Sequence, residues 1–472
     1  MRFAPSLLAL AVAGAVSVAQ AATPATTRIP AASIQTATQL RERALADDTA
    51  WKVVESLTTE VGPRLAGSEA DARAVEWAKA KFKALGFDKV WTEPVTFPKW
   101  ERRSEQAEVL GAHSQPLKLT ALGGSPRGTV EADVVRFPDL DALAQAAPGS
   151  LKGKIAFVDY RMERAQDGHG YRMGSRVRGG GPTAAAKAGA IGYLMRSAGT
   201  DNNRDPHTGM TRFADGVTPI PSAALSTPDA DQLARLVALG PTKVRVALDC
   251  GWDGEYTSQN VIGEITGSKH PDEVVLIGGH LDSWDLGTGA IDDAAGVAIS
   301  MAAAKLIGDL PKAPARTIRV VAFANEEQGL HGGFAYAMAH AGEIAKHVLV
   351  SESDFGAGRI YGFDTGNVSD GAKDAVQQIA KALEPLGIAW MPGKGDPESD
   401  VGPYAQQGAA WAWLGHDGTD YFDLHHTPDD TLDKIDPKAL AQNAAAYAVF
   451  TYLAAEAEGG FGSAPKAAEA AK

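Results

Sequence analysis

From Asn260 onward the chain alternates between two hydrophobic patterns. Val274–Ile277, Ile318–Phe323, Val348–Val350 and Ala409–Leu414 are short runs that are apolar almost throughout. Between and after them lie helical patterns at Ala294–Ile307, His331–Ala341, Ala372–Leu383 and Pro437–Ala455. A strand with one wet face alternates apolar and polar residues; a strand buried on both faces does not. The pattern therefore predicts an α/β fold, a three-layer αβα arrangement around a mostly parallel sheet. In such sheets ligands bind beyond the carboxyl ends of the strands.

The preceding part of the chain reads differently. Gln35 to Leu85 is helical in character, most clearly after Gly67: Ser68 can cap a helix whose apolar face is Val75, Ala78, Phe82 and Leu85, with Gly86 at its end. A β-rich run follows at Val90–Phe97. From about Ala112 the apolar runs are short (Val134-Val135, Ile155–Val158) and separated by Gly and Pro. This predicts a β-rich inserted domain over residues 112–250, with its own small sheet, interrupting a main domain at 35–111 and 251–458. Gly179-Gly180-Gly181 reads as a flexible connection within it, since no Lys-Ser/Thr follows to make a phosphate loop.

At the amino end, Arg2, the apolar run Leu7–Val18 and Ala19-Gln20-Ala21 fit a secretory signal over residues 1–21. The run is shorter than the ~20 residues of a membrane span. The expectation is a secreted or periplasmic protein without a membrane span, with a loose leader at 22–34 and a disordered tail at 459–472. The net charge of -13 argues against a nucleic-acid partner, which needs a basic face. The single cysteine, Cys250, excludes an intramolecular disulfide and any thiolate-rich zinc site. It reads as a small buried hydrophobe. Any metal site here must use histidine and carboxylates.

Such residues stand after the predicted strands. His280-Leu281-Asp282 follows the first, with His280 and Asp282 on one side of an extended segment. Asp282 is placed to accept the imidazole proton and fix its tautomer. Asp292-Asp293 precedes a helix, Glu326-Glu327 follows the second strand, Asp354 the third, and His425-His426 lies in a late loop. Taken singly, each has an ordinary reading: the aspartates as a helix cap, the glutamates as a solvated turn. Together they put His, Asp, Glu-Glu, Asp and His at successive strand ends, a donor set suited to zinc in a hydrolytic site. The H-E-x-x-H and G-x-S-x-G motifs are absent.

His280-Leu281-Asp282, Gly289–Asp293, Asn325-Glu326-Glu327, Glu352-Ser353-Asp354 and His426-Thr427 resemble the metal-site blocks of the M28 zinc exopeptidases. Gly279–Asp285, Pro206-His207-Thr208-Gly209 and His425-His426 give the chain the flavour of the carboxypeptidase Q subgroup. Val61–Ser68 and Lys99–Arg102 look like its amino-terminal blocks. The resemblance implies two Zn2+ ions, one on His280 and Asp354, the other on Glu327 and His426, with Asp292 bridging and joined to Asp293 by a cis peptide. Glu326 would be the general base. It further implies dipeptidase or carboxypeptidase action on short peptides, a homodimer, and a protease-associated-like insert. Many relatives place a tyrosine before the last ligand to hold the oxyanion; here that place is His425. Ser399-Asp400 resembles a segment near the substrate. An aminopeptidase on the same site, an inactive receptor-like ectodomain and a single-zinc glutaminyl cyclase are the alternatives. His207 reads as structural, and Arg176, Arg178 and Arg196 read as a solvated face rather than a frame for an acidic substrate.

Overall fold

The computed structural model describes residues 26–466; the segment read as a signal, 1–21, lies outside the described residues. Three helices come first, α1 (Ala31–Leu45), α2 (Thr49–Glu60) and α3 (Glu69–Ala84). Ser68 Oγ accepts the Asp71 N–H at 3.2 Å, and Gly86 turns the chain out of the helix at φ 84°. The long strand β1 (Lys89–Val109) leads into β2 (Gln115–Leu117), β3 (Leu119–Ala121), β4 (Gly128–Phe137), α4 (Leu140–Ala144), β5 (Ile155–Val158), α5 (Tyr171–Lys187), β6 (Gly192–Arg196), β7 (Ser222–Leu225) and α6 (Thr227–Leu239). A second long strand, β8 (Lys243–Ile265), returns antiparallel to β1, in register from Lys89↔Glu264 to Val109↔Val244. Then follow β9 (His270–His280), α7 (Ala295–Gly308), β10 (Arg316–Phe323), α8 (His331–Ala339), β11 (His347–Glu352), β12 (Ile360–Gly366), α9 (Lys373–Leu383), β13 (Ala389–Trp390), α10 (Gly402–Gln406), β14 (Trp411–His416), α11 (Tyr421–Leu424) and α12 (Pro437–Glu456).

Strands β14, β11, β9 and β10 are parallel neighbours, with β12 antiparallel to β14 at one side and β8 antiparallel to β10 at the other. The predicted two-sided burial is present along β9. Val275 and Ile277 face a core that includes α1, α2, α7 and α12, whereas Val274 and Leu276 face Tyr336 of α8 and Tyr404 of α10. Helix α7 is apolar on all sides and nearly all of it is buried, as expected for a helix enclosed in a core. Its start approaches the end of β11 so closely that a Cβ at Gly296 would overlap the Ser353 carbonyl.

Several expectations change. The run at Val90–Phe97 is part of a strand reaching Val109; its charged stretch hid it, because Arg102 is buried against Asp285 and Glu105 instead of facing water. Residues 112–250 carry a parallel stretch β4-β5-β6-β7 with α4 and α5 on one face and α6 on the other. It is α/β in character, and pairing of β4 with β8 makes it continuous with the main sheet. Gly179–Gly181 lie inside α5, not in a flexible connection. Gly181 leaves room for the Tyr193 ring, whose hydroxyl donates to the Val177 carbonyl at 2.9 Å. The leader and tail are anchored where they are described: Thr27, Ile29 and Phe461 are buried, Arg28 pairs with Glu458, and Ala464 N donates to the Gly408 carbonyl at 3.1 Å. The apolar anchors Ile29 and Phe461 stand alone in polar surroundings and give no periodicity.

His347 begins β11 at the end of the sheet away from the carboxyl ends of the strands. Its Nδ1 lies 3.1 Å from the Glu343 carbonyl and 3.0 Å from Tyr404 Oη, and the Tyr336 hydroxyl is 2.7 Å from Nε2. Tyr336 in turn accepts from Arg319, which pairs with Glu264. Burial lowers the His347 pKa from 6.5 to about 3. Between these values the unfolded chain binds the proton and the folded one does not, so stability is full above pH 6.5 and falls as pH drops towards 3. This contributes up to about 1.4 kcal/mol per pH unit. Urea midpoints at pH 5 and pH 7 should therefore lie closer together in His347→Gln than in the wild type.

Candidate metal centre

The strand ends bring the predicted acids and histidines together. His280 closes β9, Glu326 and Glu327 follow β10, and Asp354 follows β11. His426 comes from the loop after α11, held at φ 61°. Asp292 lies in the turn before α7, and the Asp292–Asp293 peptide is cis.

Asp292 stands in the middle. Its Oδ1 is 3.0 Å from His280 Nε2, and its Oδ2 is 3.2 Å from His426 Nε2. Asp354 Oδ1 is 3.3 Å from the same His280 nitrogen, and Glu327 Oε2 is 2.9 Å from the same His426 nitrogen. Each imidazole has an acceptor for its other nitrogen. His280 Nδ1 faces the Asp282 backbone carbonyl at 3.1 Å, and His426 Nδ1 faces the Thr208 carbonyl at 3.3 Å. Once deprotonated, with the hydrogen left on Nδ1, each ring turns a lone pair towards two carboxylate oxygens. Asp292 Oδ2 and Glu327 Oε1 are buried without a hydrogen-bond partner among the described residues. Lone pairs and carboxylates converging on two points fit cations there, with oxygen and nitrogen donors and no thiolate.

The surrounding charges move the titrations accordingly. Burial alone would lower His280, but Asp354 and its other acidic neighbours hold it well above its ordinary value; His426 behaves likewise beside Glu327 and Asp292. Burial, reinforced by Asp354 and Glu327, pushes Glu326 well up. Burial and the adjoining His426 push His425 well down, leaving it neutral. His425 stacks on His426 at 3.5 Å between centroids and 20° between planes. Its Nε2 is 3.5 Å from Asp292 Oδ2, so Asp292, His425 and His426 also form a convergent group.

Two sequence readings shift. The Asp282 carboxylate is 3.6 Å from His280 Nδ1, farther than its own carbonyl; its Oδ1 instead accepts the Glu326 N–H at 3.0 Å and fixes that backbone. Ser399 lines the cleft, but Asp400 lies behind the wall, where Oδ1 accepts the Gly333 N–H at 2.8 Å and its own N–H donates to Glu352 at 2.6 Å. His207 pairs with Asp201 at 2.9 Å and stays out of the metal groups.

The supports of the centre carried little signal in the sequence. Arg64, fully buried, donates to the carbonyls of Leu281, Thr288 and Gly289 and so clamps the segment between His280 and Asp292. Asp430 Oδ1 accepts the N–H groups of Ala290 and Ile291 at 2.7 and 2.8 Å. Asp293 accepts from the backbone of His280 and of Gly296, joining β9 to α7. Arg64 and Asp430 lie within segments already notable for their composition, yet nothing in their spacing marks a contact more than a hundred residues away.

A cleft of about 560 Å³ opens over the centre, lined by Glu326, Glu327, Asp354, His425 and His426 below and by residues of 112–250 above. Thr208 N donates to the His426 carbonyl at 3.0 Å, so this upper segment is tied to the centre itself. Arg178 and Arg212 line the cleft too. Arg196, by contrast, is buried in ion pairs with Asp159 and Asp231. Of the three arginines expected on a solvated face, only Arg176 is exposed.

The profile of peptidase family M28 matches residues 260–451, the span that holds the whole acid and histidine set. Carboxypeptidase Q from Bos taurus is 35% identical over 419 residues, covering 88% of this chain and 86% of its own. The crystal structure of a peptidase M28 precursor from Shewanella amazonensis is 51% identical with a TM-score of 0.87, covering 89% of this chain and 96% of its own. A zinc aminopeptidase from Bacillus subtilis shares the fold at 21% identity and a TM-score of 0.62, covering 85% of this chain and 94% of its own.

The role of Asp430 gives a direct test. Asp430→Ala leaves two buried N–H groups unsatisfied, a cost of about 1–3 kcal/mol for each group so stranded. Asp430→Asn keeps an accepting oxygen. Thermal melts of the metal-free protein should rank wild type, then Asp430→Asn, then Asp430→Ala; equal melting temperatures would remove the clamp assignment.

Proposed function

The chain belongs to peptidase family M28, and on that premise we propose that it is a secreted two-zinc exopeptidase that cleaves short peptides by dipeptidase or carboxypeptidase action. The observation that carries this reading is the placement of Asp292, whose two oxygens reach two separate histidine–carboxylate pairs at 3.0 and 3.2 Å. His280 and Asp354 would hold one zinc, Glu327 and His426 the other, and Asp292 both. When bound, the ions supply Lewis acidity towards the scissile carbonyl and bring the pKa of water to about 7.

The protein's own groups do the rest. Glu326 lines the cleft with its backbone fixed by Asp282. Its carboxylate takes a proton from the attacking water and returns it to the departing amine. Glu327, directed at His426, is committed to holding metal, so the adjacent pair divides the work. His425 is neutral and close to Asp292, and it donates a ring N–H to the oxyanion as the carbonyl carbon becomes tetrahedral. Ser399 borders the same space and contacts the substrate backbone. Residues 112–250 act as a protease-associated-like frame, supported by the contact of Thr208 with His426.

Export rests on the reading of Met1–Ala21, together with the lack, among the described residues, of any helix long and apolar enough to cross a membrane. Homodimer formation rests on the resemblance to the carboxypeptidase Q subgroup.

Metal analysis and turnover separate the assigned roles. Glu326→Gln should keep its zinc and lose about 10²–10⁴-fold in kcat, the range for general acid–base catalysis. His280→Ala and Asp292→Ala should lower bound zinc. Thorough chelation should abolish hydrolysis and added zinc restore it; hydrolysis indifferent to metal removal would end the proposal.

A further inference from the structure

Residues 112–250 meet the metal centre unevenly, because their hydrogen bonds reach one side of it only. Arg212 Nη2 donates to the Gln328 carbonyl, next to Glu327, at 3.3 Å. The Thr208 carbonyl faces His426 Nδ1 at 3.3 Å, and the Thr208 N–H donates to the His426 carbonyl at 3.0 Å. Among the described residues, no hydrogen bond or ion pair runs from this segment to His280 or Asp354. Those two stand at the end of β9 and directly after β11 of the main sheet. One histidine–carboxylate pair is therefore set by the sheet, and the other in part by the cover.

The loop that carries His426 needs such support. It runs from Asp417 through the short helix α11 and reaches His426 at φ 61°. A residue with a side chain keeps that conformation only where its surroundings hold it. Arg164, in the stretch between β5 and α5, spans this loop. Its Nη2 lies 2.7 Å from both carboxylate oxygens of Asp423 and 3.2 Å from the Thr200 carbonyl. Its Nη1 donates to the Thr419 carbonyl at 3.0 Å and to the Asp420 carboxylate. Thr200 completes the junction: its Oγ1 donates to Asp423 Oδ1 at 2.7 Å, and its N–H to the Phe422 carbonyl at 3.2 Å. Gln166 repeats the pattern at the start of the loop, donating from Nε2 to Asp417 at 2.9 Å and accepting the Gly418 N–H at 2.8 Å. Tyr171 stacks on Phe422 with centroids 4.4 Å apart and 21° between planes. An isolated surface ion pair contributes little. Here one guanidinium joins carbonyls and carboxylates on both sides of a junction, and the Asp423 side chain is only 24% exposed.

We propose that Arg164 is a positioning residue: paired with Asp423, it latches residues 112–250 to the loop of His426, and the zinc position of Glu327 and His426 depends on that latch while the position of His280 and Asp354 does not. The inference rests on the two-zinc reading and deepens it. With the latch open, the loop is free to leave its left-handed turn, and the His426 ring moves away from Glu327 and Asp292. Strands β9 and β11 keep His280 and Asp354 in place whatever the cover does.

The test is zinc titration of the intact protein from the metal-free state against a chromogenic chelator, which reads binding without reference to turnover. The wild type should take two ions. Arg164→Gln should raise the dissociation constant of one about 10-fold, the lower end of what groups behind the ligands contribute to metal affinity, and leave the other unchanged. Two backgrounds identify which ion responds. With Asp354→Ala, which spoils the His280 position, the change at Arg164 should still weaken the remaining zinc; with His426→Ala it should have no effect on the remaining zinc. Asp423→Asn should act in the same direction as Arg164→Gln, and combining the two should add little, because both open one contact. Arg164→Lys should recover part of the affinity, since an ammonium reaches Asp423 but cannot also span both carbonyls. Equal weakening of both ions, as from a general loss of stability, overturns the proposal. So do two unchanged constants, or an effect of Arg164→Gln that persists with His426→Ala. A wild type that binds a single zinc, or none, would instead end the two-zinc reading on which the proposal stands.

Discussion

The structure depends on bringing like charges together. Asp292, Asp354, Glu326 and Glu327 converge on two imidazoles in a buried cleft, which is unfavourable in a medium of low dielectric constant unless cations enter. A loop free to relax would move those carboxylates apart. The loop here has little freedom: Arg64 clamps the carbonyls from Leu281 to Gly289, Asp430 holds the N–H groups of Ala290 and Ile291, and Asp293 ties β9 to α7. These contacts are made with backbone groups, so they set the path of the chain and leave the side chains of His280 and Asp292 to face each other. Preorganisation of this kind is what a metal site needs from the groups behind its ligands.

The sheet sets the scale of the site. Parallel strands buried on both faces end together, and their last residues therefore lie side by side. His280, Glu326 and Asp354 follow adjacent strands and come together although far apart in sequence. The antiparallel ribbon of β1 and β8 does a second job. It runs from the sheet beside the centre into the segment that roofs it, so the framework below and the cover above share a pair of strands. Thr208, reaching from that cover to both the backbone and the ring of His426, makes the cover part of the centre.

Much of this was legible from residue order. Unbroken apolar runs identified the parallel core, because two-sided burial removes the polar alternation. Ser68 and Gly86 announced the ends of α3. His280, Glu326-Glu327 and Asp354 stood out because each comes at the end of an apolar strand, where a charge needs a reason. Other features were not legible for equally physical reasons. The strand reading stopped at Phe97, short of the charged middle of β1, since ion pairing across a long distance leaves no periodicity. Three glycines in a row read as a flexible connection, yet they sit in α5, where Tyr193 requires the space that a side chain at Gly181 would occupy. The Asp282 carboxylate was expected on His280, but its carbonyl is nearer, a difference of rotamer and backbone path that spacing does not encode.

The sequence by itself determined the fold class and the absence of thiolate chemistry, because these follow from composition and burial period, and its resemblance to a known family pointed to the residues that converge. The tertiary structure decided what those residues face. Only in space does Asp292 reach two imidazoles, Asp400 fall behind the wall, and Arg178 and Arg212 come to overhang an acidic centre from the opposite side of a cleft. The physical reason is that strand ends are local consequences of pattern, whereas the walls of a cleft come from contacts between segments that share no periodicity at all.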